Sequence, residues 1–341
     1  MWRRVVRAFS TRSRRARQER LQGQDEQALD YVANRKFAKS LEHAPSVAAL
    51  HETVRREVEA DGLDSRLMTP RNVSMIVYRV GQLHHLLGDA HDDGFRNMVV
   101  DLVDRNMLKF MTPSLSSLIR SIGDWSLWEK PPGLCTQIAR HLFVQPKLRA
   151  PTLCRALPGM ATVGVTDDDI WNNALKCFQL QLPHMNGDQL SPCLHAVVRT
   201  GRGDVDFFTV MSNHVKLRAF SYDSRCVGQL SMSFARAKDR CPDLTSLFDH
   251  LAQQALRQLP MYGTLDLRDV TRAFVIVSPG KKELFDAIAN RVVACSDRFS
   301  PTVLLDVYRA LKSVGVSNDA LDEVCGKVTP ADPSPFASAQ Q

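Results

Sequence analysis

The sequence predicts an all-α solenoid of about seven helix-turn-helix repeats of 37–42 residues. The stretch LLDVYRALKSVG (304–315) is the last of seven copies of one amphipathic pattern, and a second amphipathic segment follows each copy. One helical hairpin cannot bury its own apolar faces, so hairpins that recur with this period must stack on their neighbours.

The first helix of each repeat carries two columns of apolar residues. We number the repeats from the starting residues Pro70, Thr112, Leu153, Leu190, Val227, Leu267 and Leu304. Position +3 holds Val73, Leu115, Ala156, Cys193, Leu230, Val270 and Val307, and position +7 holds Val77, Ile119, Met160, Val197, Phe234, Phe274 and Leu311. Residues four apart share one helical face, so these columns predict the buried side of the first helices.

Glycines predict where several first helices end. Five repeats have glycine at position +11, where a left-handed helix C-cap is expected: Gly81, Gly123, Gly164, Gly201 and Gly315. Thr166 and Ser317 are the predicted N-caps of two second helices, with Asp168 and Asp319 in the first turn. Each repeat therefore reads as a complete hairpin.

The basic charge of the chain is concentrated in its first twenty residues. They contain eight Arg and one Glu, which equals the net charge of +7 for the entire chain, so residues 21–341 are formally neutral. Trp2, Val5, Val6 and Phe9 share one helical face among arginines. This composition is typical of a mitochondrial transit peptide, which predicts import into the matrix and cleavage before Ser10. The alternative is a basic RNA-binding or membrane-surface arm.

The predicted organisation is a transit peptide (1–24), N-terminal capping helices (25–68), the α-helical repeat solenoid (69–328) and a disordered tail (329–341). The tail, TPADPSPFASAQQ, is rich in Pro, Ser and Ala. No run of 18 apolar residues occurs, so no membrane insertion is expected. The eight cysteines form no C-x-x-C pair and are expected to be buried, reduced thiols.

The repeat, with first helices such as LLDVYRALKSVG and LSSLIRSIG behind an import signal, resembles organellar helical-hairpin repeat proteins. These are the octotricopeptide, heptatricopeptide and FAST-kinase-like repeat proteins, and the repeat subunits of the RNA-editing substrate-binding complex. The resemblance covers residues 69–328. It implies binding of single-stranded organellar RNA (mRNA, rRNA or guide RNA) and partnership with protein subunits of an RNA-processing or ribosomal complex. Many members end in a RAP domain, which does not follow the last repeat here, so the resemblance favours a pure binding protein or an assembly subunit over a nuclease-like activity.

Cationic side chains recur on the first helices away from the apolar columns. Positions +5 and +9 supply Arg79, His195, Arg199, Arg236, Arg272 and Arg309, and position +8 adds Arg120 and Lys312. We call these eight residues the basic ladder. Stacked helices would align them along one face, where they could bind RNA phosphates. The alternative is a solvated helix face, on which arginine is common.

No catalytic or metal site is expected. HHLLGDAHDD (84–93) matches no standard metal-ligand spacing and is interpreted as an exposed turn. SPGKKE (278–283) lacks the second half of a phosphate-binding loop and is interpreted as a turn. The sequence thus predicts a non-enzymatic, cofactor-free mitochondrial RNA-binding protein in RNA processing, stability or ribosome assembly. The alternative is a protein-only structural scaffold of a mitoribosome or respiratory assembly.

Overall fold

The computed structural model describes residues 30–87, 92–144, 148–278 and 280–327. The predicted transit peptide and C-terminal tail lie outside these residues. Within them every regular element is helical, and helices contact one another in a consecutive order along the chain. The predicted all-α helical-repeat architecture is therefore confirmed.

Sixteen α-helices occur in the described residues. The first, α1, covers residues 30–42. The others are α2 (Val47–Asp61), α3 (Pro70–Leu87), α4 (Asp93–Arg105), α5 (Thr112–Gly123), α6 (Pro132–Phe143), α7 (Ala150–Val163), α8 (Asp168–Gln181), α9 (Gly187–Arg199), α10 (Val205–Arg218), α11 (Ser224–Arg236), α12 (Leu244–Gln258), α13 (Thr264–Val277), α14 (Lys282–Ala294), α15 (Pro301–Ser313) and α16 (Asp319–Gly326).

The chain divides into two units, Met1–Ile138 and Ala139–Gln341, with the boundary inside α6. In the first unit α3 packs against α2, α4 and α5. Asn72 on α3 also donates a hydrogen bond to the side-chain oxygen of Asn34 on α1, at 3.2 Å. Within the predicted capping segment (25–68), the described residues form the two helices α1 and α2.

The second unit contains two rows of helices. The first helices α7, α9, α11, α13 and α15 each contact the next, and so do the second helices α8, α10, α12, α14 and α16. The two rows are joined within each hairpin, for example by contacts of α11 with α12 and of α15 with α16. This arrangement buries the apolar face of every first helix against its neighbours, as stacked repeats require.

The predicted apolar columns form the core of the first helices. All fourteen residues assigned to positions +3 and +7 are buried, and most are fully inaccessible to solvent. Large aromatic side chains fill the space between the helices, including Trp171, Phe208, Phe234 and Phe274.

A buried residue in the turn before each first helix marks the true register of the repeat. We call these the anchor residues: Met68, Phe110, Leu148, Met185, Tyr222, Tyr262 and Phe299. Six of them donate their N–H to a carbonyl three residues earlier, which closes a short turn of 3₁₀ type. Each anchor lies five residues before a buried apolar residue, which is Val73 in the first repeat and Leu115 in the second. The predicted starts Pro70 and Thr112 were therefore wrong by three residues, whereas the other five are correct.

The glycines show why the first two repeats were misaligned. Gly164, Gly201 and Gly315 have positive φ and end their helices as predicted, with Gly164 at φ 73°. Gly81 instead lies inside α3, and Gly123 is the last residue of α5 without positive φ. A Cβ on Gly81 would lie 3.3 Å from the carbonyl oxygen of Ser121, so this glycine permits close packing of α3 and α5.

The predicted N-caps were wrong by one residue. Asp167 caps α8 by accepting hydrogen bonds from Asp169 and Ile170, and Asn318 caps α16 by accepting one from Leu321. Thr166 and Ser317 lie just before them. Asp168 and Asp319 are in the first turns, as predicted.

Candidate nucleic-acid interface

The corrected register defines one exposed face of the first helices. Position +5 now holds Tyr78, Arg120, Pro158, His195, Met232, Arg272 and Arg309, and position +9 holds Gln82, Asp124, Thr162, Arg199, Arg236, Ile276 and Ser313. Every one of these residues is exposed or half-buried. Positions +5 and +9 therefore lie opposite the core, because the intervening +7 residue is buried in all seven repeats.

The register changes the position of two ladder residues in the first unit. Arg120 moves to +5, where its side chain is 48% exposed. Arg79 moves to +6 and is half-buried, since its guanidinium donates to the Ala44 carbonyl oxygen at 2.6 Å and to Gln82 Oε1 at 2.7 Å. Arg79 is thus occupied in holding α3 to the chain segment after α1, and we remove it from the candidate interface.

Two arginines without a carboxylate partner lie on the exposed face of the neighbouring helices α9 and α11. Arg236 is exposed and, among the described residues, has neither an ion pair nor a side-chain hydrogen bond. Arg199 is also exposed, and its guanidinium donates a hydrogen bond to the Ala161 carbonyl oxygen on α7, at 3.3 Å. The Ala161 carbonyl oxygen is not charged, so neither guanidinium is paired with a carboxylate in the described residues.

His195, on α9, is close enough to both arginines for their charges to act on its imidazole. Burial lowers the pKa of its imidazole, and the positive charges of Arg236 and Arg199 lower it further, against a smaller opposing effect of Asp269. Both ring nitrogens are buried without a hydrogen-bond partner in the described residues. At neutral pH the imidazole is therefore neutral, and the positive charge of this cluster comes from Arg199 and Arg236.

Towards the C-terminal end of the second unit, carboxylates neutralise the ladder. Arg272 on α13 lies 3.3 Å from Asp306 on α15. Lys312 lies 2.8 Å from Asp322 on α16, and this hydrogen bond raises the pKa of Lys312 and lowers that of Asp322. Arg309, in contrast, is exposed with no ion pair in the described residues. The ladder is therefore uneven, with paired and unpaired cations on neighbouring helices.

Some surface residues of this face were missed by sequence reasoning. Arg155 at position +2 of α7 is exposed and lies on the helix next to α9. Counted from the predicted start Pro70, Tyr78 and Gln82 fall at positions +8 and +12 instead of +5 and +9. The anchor residues, an apolar or aromatic residue five before each start, were the signal that could have corrected it.

The segment HHLLGDAHDD differs in part from its interpretation as an exposed turn. His84 is buried and its ring packs edge-on against Trp128, with 4.9 Å between the ring centroids. Asp92 caps α4 and lies 2.6 Å from His51 Nδ1. Residues 88–91 lie outside the described part of the chain. In the other predicted turn, Lys281 pairs with Asp249 at 2.5 Å.

One group of described side chains has ligand atoms close enough to surround a metal ion. Atoms of Asp188, Asp223 and Cys226 lie within 4.8 Å of one another. Asp223 is already the N-cap of α11, accepting from the Cys226 N–H at 2.8 Å. Burial raises the pKa of the Cys226 thiol to about 12, so the thiolate that would bind a metal is disfavoured. We interpret the group as a helix cap.

No helix in the described residues is long and apolar enough to cross a membrane. No known protein-family model matches the chain, and no curated protein matches it either.

Proposed function

We propose that this chain binds single-stranded RNA in a mitochondrion, where it acts in RNA processing, RNA stability or ribosome assembly. The main observation in support of this proposal is the pair of exposed guanidinium groups, Arg199 and Arg236, on the neighbouring helices α9 and α11. Arginine at the surface of a repeat protein without a carboxylate partner suits a phosphate backbone.

The charge distribution restricts RNA binding to local groups of cations. Residues 21–341 carry no formal net charge, so a general attraction to nucleic acid is not expected from the body of the protein. Binding must instead depend on local positive charge, to which Arg155 on the neighbouring helix α7 adds an exposed cation. An RNA strand crossing α7, α9 and α11 would release condensed counterions at each phosphate contact.

The mitochondrial location is proposed from the first residues of the sequence. An amphipathic segment with eight Arg and one Glu in twenty residues is what import into the matrix requires. A reporter fused to residues 1–24 should enter mitochondria, and changing Arg3, Arg4 and Arg7 to Glu should keep it in the cytosol.

A protein-only scaffold role is the second candidate. It is favoured by exposed apolar side chains at the ends of second helices and in the turns after them. Leu217 is 87% exposed, Phe220 51% and Met261 77%. Exposed apolar side chains of this kind are available for contacts with other proteins.

Salt dependence of RNA binding distinguishes the two candidates. The chain with both Arg199→Ala and Arg236→Ala should bind a single-stranded RNA more weakly. The slope of log affinity against log salt should decrease by about 0.7 for each phosphate that the variant no longer neutralises. The matched control changes Arg35 and Arg225, which are also exposed without ion pairs in the described residues. Equal affinity and slope in the two double variants would favour the scaffold role.

A further inference from the structure

A cleft of about 260 Å³ lies between the first helices α3 and α5 of the first unit. It is lined by Tyr78, Gly81, Gln82, Ser121 and Asp124. Tyr78 and Gln82 occupy positions +5 and +9 of one repeat, and Asp124 occupies +9 of the next. The cleft therefore belongs to the same face of the first helices as Arg199 and Arg236 do in their own unit.

Tyr78 gives the cleft an aromatic wall. Its side chain is 49% exposed, and its hydroxyl accepts a hydrogen bond from Gln82 Nε2 at 2.6 Å. Gln82 is itself held, because its Oε1 accepts a hydrogen bond from Arg79 at 2.7 Å. A ring fixed in this way loses little side-chain entropy when a flat ligand stacks on it. Aromatic side chains are the usual stacking partners of unpaired nucleobases.

The carboxylate of Asp124 determines which part of a nucleotide the cleft can bind. Its carboxylate is 44% exposed, and the nearest cation, Arg120 Nε, is 3.7 Å away, which is longer than a hydrogen bond. A carboxylate with free lone pairs repels phosphate and accepts hydrogen bonds from exocyclic amino groups. Uracil has no such amino group, whereas adenine, cytosine and guanine each have one.

Gln82 and Ser121 provide the remaining polar groups of the cleft. After its two hydrogen bonds, the Gln82 amide still has one N–H and one lone pair to offer. Gly81 keeps the cleft open, because a Cβ there would lie 3.3 Å from the Ser121 carbonyl oxygen and 3.5 Å from Asp124 Cβ.

A hydrogen bond from a buried side chain connects the two helices that form the cleft. Trp125 is buried directly after Asp124, and its indole N–H donates to the Val77 carbonyl oxygen at 3.2 Å. This bond joins the end of α5 to the turn of α3 that precedes Tyr78. The two walls of the cleft are thus held at a fixed separation before any ligand arrives.

We propose that this cleft binds one unpaired base bearing an exocyclic amino group (adenine, cytosine or guanine), stacked on Tyr78 with its amino group on Asp124. The inference rests on the proposed RNA binding and adds base selectivity to it. Arg199 and Arg236 supply affinity without regard to sequence, whereas this cleft discriminates between bases.

The test compares binding of the full chain to short homopolymers of A, C and U. The unaltered chain should bind oligo(A) or oligo(C) at least about fivefold more tightly than oligo(U). Tyr78→Ala should abolish this difference. Asp124→Asn should shift the preference towards oligo(U), because an amide can donate to the uracil carbonyl oxygen. Effects of the basic first residues cancel in these comparisons, since every variant contains them.

Two matched controls should retain the preference. Tyr31 on α1 is an exposed tyrosine, and Asp101 on α4 is an exposed aspartate. Tyr31→Ala and Asp101→Asn should therefore bind as the unaltered chain does. Equal binding of all three homopolymers by the unaltered chain would overturn the base-selective cleft and leave the proposed RNA binding intact.

Absence of binding to any homopolymer would instead overturn the proposed function. Base binding in the cleft would then be tested by titrating adenosine, cytidine and uridine while following the Tyr78 ring resonances by NMR. Shifts with adenosine or cytidine and none with uridine would support the cleft. No shift with any nucleoside would overturn it.

Discussion

The guanidinium of Arg272 on α13 lies 3.3 Å from the carboxylate of Asp306 on α15. This ion pair distinguishes Arg272 from the arginines of the first helices that have no carboxylate partner. Arg236, two first helices from Asp306, has no such partner in the described residues. A cation already paired with a carboxylate gains less from a phosphate than an unpaired one does, because its partner must be displaced or brought close to another negative charge.

Arg272 should therefore contribute to RNA binding only when Asp306 is removed. We expect Arg272→Ala alone to weaken RNA binding less than Arg236→Ala. Asp306→Asn should increase RNA affinity and steepen the salt slope by about 0.7, the effect of one additional phosphate contact. Fluorescence anisotropy over a salt series measures both quantities. An Asp306→Asn chain with unchanged slope would show that RNA does not reach α13.

Trp125 should be essential for the stability of the first unit. Its side chain is 1% exposed and its indole N–H bonds to the Val77 carbonyl oxygen. Trp125→Ala should reduce the free energy of unfolding by about 3–5 kcal/mol, because it leaves a cavity in the core and removes the hydrogen bond to Val77. Leu217→Ala, at an 87% exposed position, should cost less than about 0.5 kcal/mol. Urea denaturation followed by circular dichroism compares the two variants.

Two histidines should make the fold less stable in mild acid. Burial lowers the pKa of His195 and of His214 below the reference value of 6.5, with Arg236 and Arg199 acting further on His195 and Arg218 on His214. The unfolded chain therefore binds these protons more readily than the native one. Their contribution to stability is present above pH 6.5 and is lost as the pH falls towards the lowered native values.

The double variant His195→Gln and His214→Gln should show a smaller loss of stability across this pH range. Denaturant midpoints measured on both sides of pH 6.5 provide the comparison. His43→Gln, at an exposed position, is the control and should decline as the unaltered chain does. An equal decline in the double variant would mean that neither histidine changes its proton affinity on folding.

Cys154 should be the most reactive of the eight cysteines. A hydrogen bond from the Cys193 thiol lowers the pKa of Cys154, which is only half-buried. Burial raises the pKa of Cys226 and Cys135 to about 12. Because the thiolate is the reactive species, iodoacetamide should label Cys154 first. Peptide mass spectrometry over a labelling time course measures the order, and earlier labelling of Cys226 would contradict it.

The helix pairs were predictable because the apolar pattern that indicates them involves residues close together in the sequence. Apolar residues such as Cys193 and Val197 are four apart in the sequence and share a face whatever surrounds them, so the spacing alone assigned them to the core. The register of the first two repeats was not determined by the same signal. Gly81 resembles the terminal glycines Gly164 and Gly201 in sequence, but it serves close packing of α3 on α5.

The candidate interface was predictable only as a set of exposed cations. Which of them are neutralised depends on distances between helices, such as that from Arg272 to Asp306, residues 34 apart in the chain. The half-buried state of Arg79 likewise depends on a carbonyl oxygen 35 residues away. Helix periodicity contains no information about either contact.

The anchor residues have a consequence for how such a chain can change its length. The interval from each anchor to its first helix is constant, whereas the intervals between successive anchors vary from 37 to 42 residues. All the variation therefore lies in the rest of each hairpin. A segment cut from one anchor to the next is an interchangeable module that can be duplicated or removed without changing the phase of the helices after it. A single deletion between Tyr222 and Val227 would instead rotate α11 by about 100° and turn Leu230 and Phe234 towards solvent.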